Sequence, residues 1–203
     1  MTPGFAPLAA MVVLTGIGAL AWGTEGFRVV TSEGARQLAV EETRPPVPDV
    51  RLVDQEGKPF SLRDYRGRAV LIEFIYTRCP ALCGVLGDDF RRLLAPTRRA
   101  ASGSDVDLLS ISFDRQNDDP EALKLYGDRY GATPPHWRVA VPADDRALAT
   151  LLRVFGLVVI PDGMGGFLHN GGIYLVDAQG RLARVLDPES PPRLIRQALH
   201  ASG

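Results

Sequence analysis

The chain has 203 residues, 45% of them hydrophobic and 23% charged, with a formal net charge of −1. That composition excludes a disordered chain, a collagen-like repeat and, with only 2 Cys, a disulfide-dense mini-scaffold. Lys and Arg (23) are matched by Asp and Glu (24), so no basic excess holds a phosphate backbone and nucleic acid is not an expected partner.

The first ionisable side chain is Glu25, and Phe5 to Gly23 reads FAPLAAMVVLTGIGALAWG, 19 uncharged residues. As a helix this run reaches about 28 Å, close to the ~30 Å hydrocarbon core of a bilayer. It is expected to be a transmembrane anchor or a signal peptide over residues 1–24. Ala19-Leu20-Ala21 would suit a signal peptidase. The absence of Lys or Arg from Met1 to Pro7, together with Trp22 at the end, favours the uncleaved anchor. Either reading sends the remainder into an oxidising compartment such as the periplasm. Residues 25–47 are polar and end in a Pro cluster, which predicts a tether. Residues 48–203 then form one α/β domain.

Asp49 to Val53 alternates as an early strand, with a turn at Gln55-Glu56-Gly57-Lys58. Ala69 to Tyr76, AVLIEFIY, is a nearly continuous apolar run, as expected of a strand buried on both faces. A helix is predicted from Pro80 to about Arg99, with proline at its first position. Val106 to Phe113 is a second buried strand, after which Asp118-Asp119-Pro120-Glu121 caps the helix EALKLYGDRYG. A strand from Trp137 to Val141 and a helix from Asp144 to Phe155 follow. Gly172–Asp177 and Arg181–Leu186 form two strands about a turn, and Leu194–His200 closes the chain as a helix. This order predicts a thioredoxin-like fold, a central mixed sheet flanked by helices.

Cys79 and Cys83 sit where the central strand meets a helix. Unpaired backbone N–H groups and the positive end of the helix dipole there favour the thiolate, the form that attacks disulfides or binds metal. Three residues separate the pair, whereas thiol-disulfide oxidoreductases of this fold use C-x-x-C. Those enzymes also keep a cis-proline before the strand facing the cysteines; here that segment, Leu168 to Asp177, has His169 and no proline. A peroxiredoxin would need Thr at position 76, which is Tyr76. Two thiolates and an imidazole instead make a soft donor set suited to copper as Cu(I), with the imidazole also accommodating Cu(II). A structural zinc site would want a fourth protein ligand. Cys79, Cys83 and His169 are the candidate metal ligands.

Tyr76-Thr77-Arg78-Cys79-Pro80-Ala81-Leu82-Cys83, then Ser110-Ile111-Ser112-Phe113-Asp114 with Asp118-Asp119-Pro120, then His169 followed by Ile173-Tyr174-Leu175-Val176-Asp177, resemble the Sco/SenC family. The similarity spans residues 48–200. It implies a membrane-anchored, copper-binding metallochaperone of thioredoxin fold, with Cys79, Cys83 and His169 as ligands. The implied role is assembly of the binuclear copper centre of cytochrome c oxidase subunit II. That subunit, or a similar copper-accepting protein, would be the acceptor, and another copper chaperone the donor. Gly84 follows the second cysteine where the family usually has proline, and Asn170 follows His169 where it usually has serine. The alternative is a thiol-disulfide reductase, using Cys79 and Cys83 as a redox pair to keep the target's cysteines reduced. A third reading is a peroxide-handling or redox-sensing protein that uses the thiols alone.

Glu73 interrupts the apolar central strand six residues before Cys79 and is a candidate proton relay for Cys83, or else reaches solvent or Arg78. Asp114, at the end of a strand, is expected to cap or else to orient the site, Met164 to pack or act as a weak soft ligand, and His136 and His200 to be ordinary surface residues.

Overall fold

The computed structural model describes residues 5–23, 31–79, 87–88, 90–92 and 106–186. The apolar run in the middle of the chain is strand β3 (Ala69–Ile75), covered on both faces. It pairs in parallel with β4 (Val106–Ser112) and antiparallel with β8 (Ile173–Val176). Alternate residues point to opposite faces, as the period of two requires. Ile72, Phe74, Leu109, Ile111 and Tyr174 join one core cluster. Leu71, Leu108, Ile173 and Leu175 join a second with Phe90 and Trp137.

β5 (Trp137–Pro142) runs parallel to β4 on its other side, and β9 (Leu182–Leu186) pairs antiparallel with β8. The hairpin of β1 (Arg51–Asp54) and β2 (Pro59–Ser61) adds to β5, giving a seven-stranded mixed sheet ordered β2-β1-β5-β4-β3-β8-β9. Helix α3 (Pro120–Tyr130) starts at the cap Asp119, whose side chain accepts from the Ala122 N–H, and stops at Gly131, φ 81°. Helix α4 (Asp145–Phe155) is capped by Asp144 and stops at Gly156. α3 and α4 bury Leu123, Leu151 and Phe155 on the first cluster. The mixed sheet with flanking helices is the architecture expected.

Two segments differ from expectation. Part of the predicted tether is helix α2 (Ser32–Thr43), capped by Thr31. Its Arg36 donates to the Phe155 carbonyl at 2.8 Å and the Tyr174 hydroxyl at 3.1 Å. The chain after it is bonded to the domain through Val47 N–H to the Gly180 carbonyl and Leu182 N–H to the Pro45 carbonyl. The composition is polar because the helix docks by hydrogen bonds as much as by apolar burial.

The other is the expected transmembrane segment. Residues Phe5–Gly23 form an uncharged helix, α1, but no helix among the described residues is long and apolar enough to cross a membrane. Its Met11, Val12, Leu14 and Trp22 are exposed. Most of the helix predicted from Pro80 to Arg99, including Cys83, lies outside the described residues; Gly87–Asp88 and Phe90–Arg92 are helical. The predicted helix Leu194–His200 also lies outside them.

Candidate metal centre

β3 and β4 end side by side, and their last turns carry the site. Past Ile75 the chain folds tightly, with the Cys79 N–H donating to the Tyr76 carbonyl at 3.2 Å. Cys79 is half-buried and packs against the first core cluster. The corner of this turn is tied to the loop after β4. Asp118, only 1% exposed, accepts from the Thr77 N–H at 2.9 Å, the Thr77 hydroxyl at 2.7 Å and the Ser112 hydroxyl at 2.5 Å. Asp114 accepts from the Arg78 guanidinium at 2.9 Å and the Asn117 amide at 2.8 Å. That hydrogen bond to Asp114 is the main reason the Arg78 pKa is raised. Asp114 takes the orienting role rather than the capping one, and Asp118 does not cap as expected. Asp119 alone caps α3, while Asp114 and Asp118 turn back to hold the segment before Cys79, because a buried carboxylate needs several donors.

His169 reaches this edge from far along the chain on a small antiparallel ribbon, β6 (Val159–Pro161) with β7 (Phe167–His169). The ribbon turns through Gly163 and Gly165 at φ 76° and 90°, values that favour glycine. Asp162 closes that turn by accepting from the Met164 and Gly166 N–H groups at 2.7 and 2.9 Å, and these bonds lower its pKa. Asn170 ties the ribbon to the end of α4, donating to the Gly156 carbonyl at 3.0 Å and accepting from the Val158 N–H at 2.6 Å.

The imidazole lies against an aromatic wall, 5.0 Å from Phe113 and 6.2 Å from Tyr76 between centroids, with Phe167 packed on both of those rings. His169 Nδ1 lies 2.9 Å from the Asn170 carbonyl, which can only accept. That bond puts the proton on Nδ1 and leaves the Nε2 lone pair available to a metal. His169 and Cys79 thus share Tyr76 as a neighbour. A cleft lined by Arg78, Phe113, Asp114, Leu148 and Phe167 opens beside them. Among the described residues no group of three His, Cys, Asp or Glu side chains forms a metal site.

The remaining candidates fall elsewhere. Glu73 is fully buried and accepts from the Ser110 hydroxyl at 2.5 Å, which in turn accepts from the Trp137 indole N–H at 2.9 Å. It is shut off from solvent, and Arg78 pairs with Asp114. Met164 is 88% exposed at the ribbon tip, so it does not pack as expected. His136 is a surface residue beside Asp107, and His200 lies outside the described residues.

The sequence reading missed the roles of Asp118, Asn170 and the aromatic wall. The available signals were a hydroxyl-acid set in Thr77, Ser112 and Asp118, and aromatic residues clustered where two strands end.

A family model described as SCO1/SenC matches residues 40–202. The chain belongs to the SCO1/SenC family. This SCO1/SenC protein is 29% identical over 140 residues to a candidate copper-binding protein of Stutzerimonas stutzeri, covering 67% of this chain and 66% of that protein. Its fold is similar to that of Bradyrhizobium japonicum ScoI with copper bound, at TM-score 0.63 and 23% identity over 78% of this chain and 99% of the other. It is also similar to BsSco, described as a member of the Sco family of cytochrome c oxidase assembly proteins with a disulfide switch. There the TM-score is 0.67 at 23% identity, over 78% and 93% of the two chains. At these identities the two structures establish the thioredoxin-like fold alone.

Proposed function

We propose that this SCO1/SenC protein is a copper metallochaperone whose ligands are Cys79, Cys83 and His169. One observation carries the reading: His169 is held on the Tyr76–Phe113 wall at the strand edge where the turn closed by Cys79 begins. The donor set is chemically suited to the ion. Thiolates are soft ligands that select Cu(I), and an imidazole serves either oxidation state. Half-burial of Cys79 and His169 beside aromatic rings limits water at the ion, while the flanking cleft leaves a path for a partner's ligands.

In this reading copper is cargo, taken from another copper chaperone and passed by ligand exchange to the binuclear copper centre of cytochrome c oxidase subunit II. Glu73, buried on the strand that leads to the cysteines, is the proton acceptor when Cys83 gives up its thiol proton. The proposal includes attachment of the domain to a membrane through α1, whose exposed apolar side chains need cover, with the domain on the periplasmic side.

The competing reading is a dithiol reductase, and His169 separates the two. The test compares His169→Ala with wild type in copper binding and in reduction of a disulfide-bonded acceptor peptide. The proposal expects copper retention to be lost while reduction persists. Copper retention equal to wild type would overturn it.

A further inference from the structure

The turn that presents Cys79 is held at both corner residues by buried carboxylates from a different part of the chain. Thr77 gives Asp118 two hydrogen bonds, and Arg78 gives Asp114 one. The two acids are themselves linked. The Asp118 N–H donates to the Asp114 carbonyl at 2.9 Å, and the Ser112 hydroxyl accepts from the Asp114 N–H at 3.0 Å while donating to Asp118. Asp118 is nearly devoid of solvent, and its ionised carboxylate has only acceptor capacity, matched by three donors. An arrangement of this kind fixes a backbone corner more tightly than a single turn hydrogen bond does, because the bonds to Asp118 are charge-assisted and shielded from water.

We infer that Asp118 is a positioning residue for the metal centre: by clamping Thr77 it sets the place and direction of the Cys79 thiol. The inference rests on the assignment of Cys79 as a ligand. Asp118 touches no metal itself and acts through the Thr77–Cys79 turn. Its sequence neighbour Asp119 serves α3 only, through the Ala122 N–H at 2.9 Å. The two adjacent acids therefore separate positioning of the thiol from support of the helix.

The experiment uses the full chain carrying Asp118→Asn, Thr77→Val or Asp119→Ala. Asn at 118 sets an amide donor against donors. Val at 77 deletes the hydroxyl bond, leaves Asp118 intact and keeps the inference testable should Asp118→Asn fail to fold. Copper affinity is measured by competition with a chelator, and Cys79 alkylation is timed in metal-free protein in a Cys83→Ser background. Asp118→Asn is expected to weaken copper binding by about 10- to 100-fold, as second-shell losses do, and to change the alkylation rate. Thr77→Val is expected to shift both in the same direction by less. Asp119→Ala is expected to leave both at wild-type values.

Wild-type affinity and alkylation in both Asp118→Asn and Thr77→Val would overturn the inference. So would equal changes in Asp119→Ala, which would mark a general effect on stability. Failure of the ligand assignment looks different: Cys79→Ser would bind copper like wild type, while the metal-free alkylation rates would still report on the clamp.

Discussion

The ring of His169 stands edge-on to that of Tyr76, their centroids 6.2 Å apart and their planes at 82°. Tyr76 also accepts the Cys79 N–H through its carbonyl. One residue thus borders the imidazole with its side chain and the thiol-bearing turn with its backbone. The ribbon that brings the histidine is too short to be stable alone, so its place depends on packing against Tyr76, Phe113 and Phe167.

Phe113 is the residue of that wall nearest the imidazole, 5% exposed and in ring contact with Tyr76, Phe167 and His169. Phe113→Ala is expected to lower stability by about 3–5 kcal/mol, the usual cost of emptying such a site. It should also weaken copper binding, since the ribbon loses its support. Urea unfolding and a copper titration on the same sample check both effects. Unchanged binding in the destabilised variant would separate the wall from the site.

Ser110 joins two fully buried polar side chains, Glu73 and Trp137. Ser110→Ala removes a donor to Glu73 and the acceptor for the indole. A loss of about 1–3 kcal/mol is expected, the cost of leaving a buried polar group without its partner. Denaturant unfolding measures it, and a loss no larger than that of an exposed Ser→Ala change would contradict the network.

Glu73→Gln removes the carboxylate proposed to take the Cys83 proton. The thiolate titration of Cys83, followed by ultraviolet absorption in a Cys79→Ser background, is expected to shift. An unchanged titration would remove Glu73 from the mechanism and leave it as a structural partner of Ser110.

Asp107 is fully buried at the start of β4, 2.7 Å from Arg68 and 3.5 Å from His136. Burial raises its pKa, against the opposing pull of the Arg68 and His136 charges. Between the ordinary value of 3.8 and the raised one, the folded protein holds a proton that the unfolded chain has released. The contribution of Asp107 to stability therefore falls as pH rises through that window. Asp107→Asn removes this slope, so variant stability relative to wild type should climb across the window and then level. Urea unfolding of both proteins at a series of pH values checks it, and parallel curves would contradict the assignment.

Much of this fold was legible in the chain itself. β3 and β4 announced themselves as apolar runs bounded by polar residues, and α3 and α4 by an Asp cap and a closing Gly. Cys79 was expected where the central strand meets a helix; it lies in the turn that follows β3, and the helix side of that junction falls outside the described residues. The ribbon carrying His169 was not visible: its strands are three residues each, and Leu168 and Ile160 face solvent, so no alternation marks them. α2 was hidden by polar composition, since Arg36 docks it through hydrogen bonds. Asp118 was masked by its neighbours, because Asp-Asp-Pro reads as a helix cap and only Asp119 is one.

The most direct measurement is a copper titration of the reduced protein, followed by absorption and by paramagnetic resonance of the Cu(II) form. The account predicts a thiolate-to-copper charge-transfer band that saturates at one ion per chain. That band should disappear in each of Cys79→Ser, Cys83→Ser and His169→Ala. A wild-type protein that shows no such band, or a His169→Ala variant that keeps it at full strength, would contradict the account.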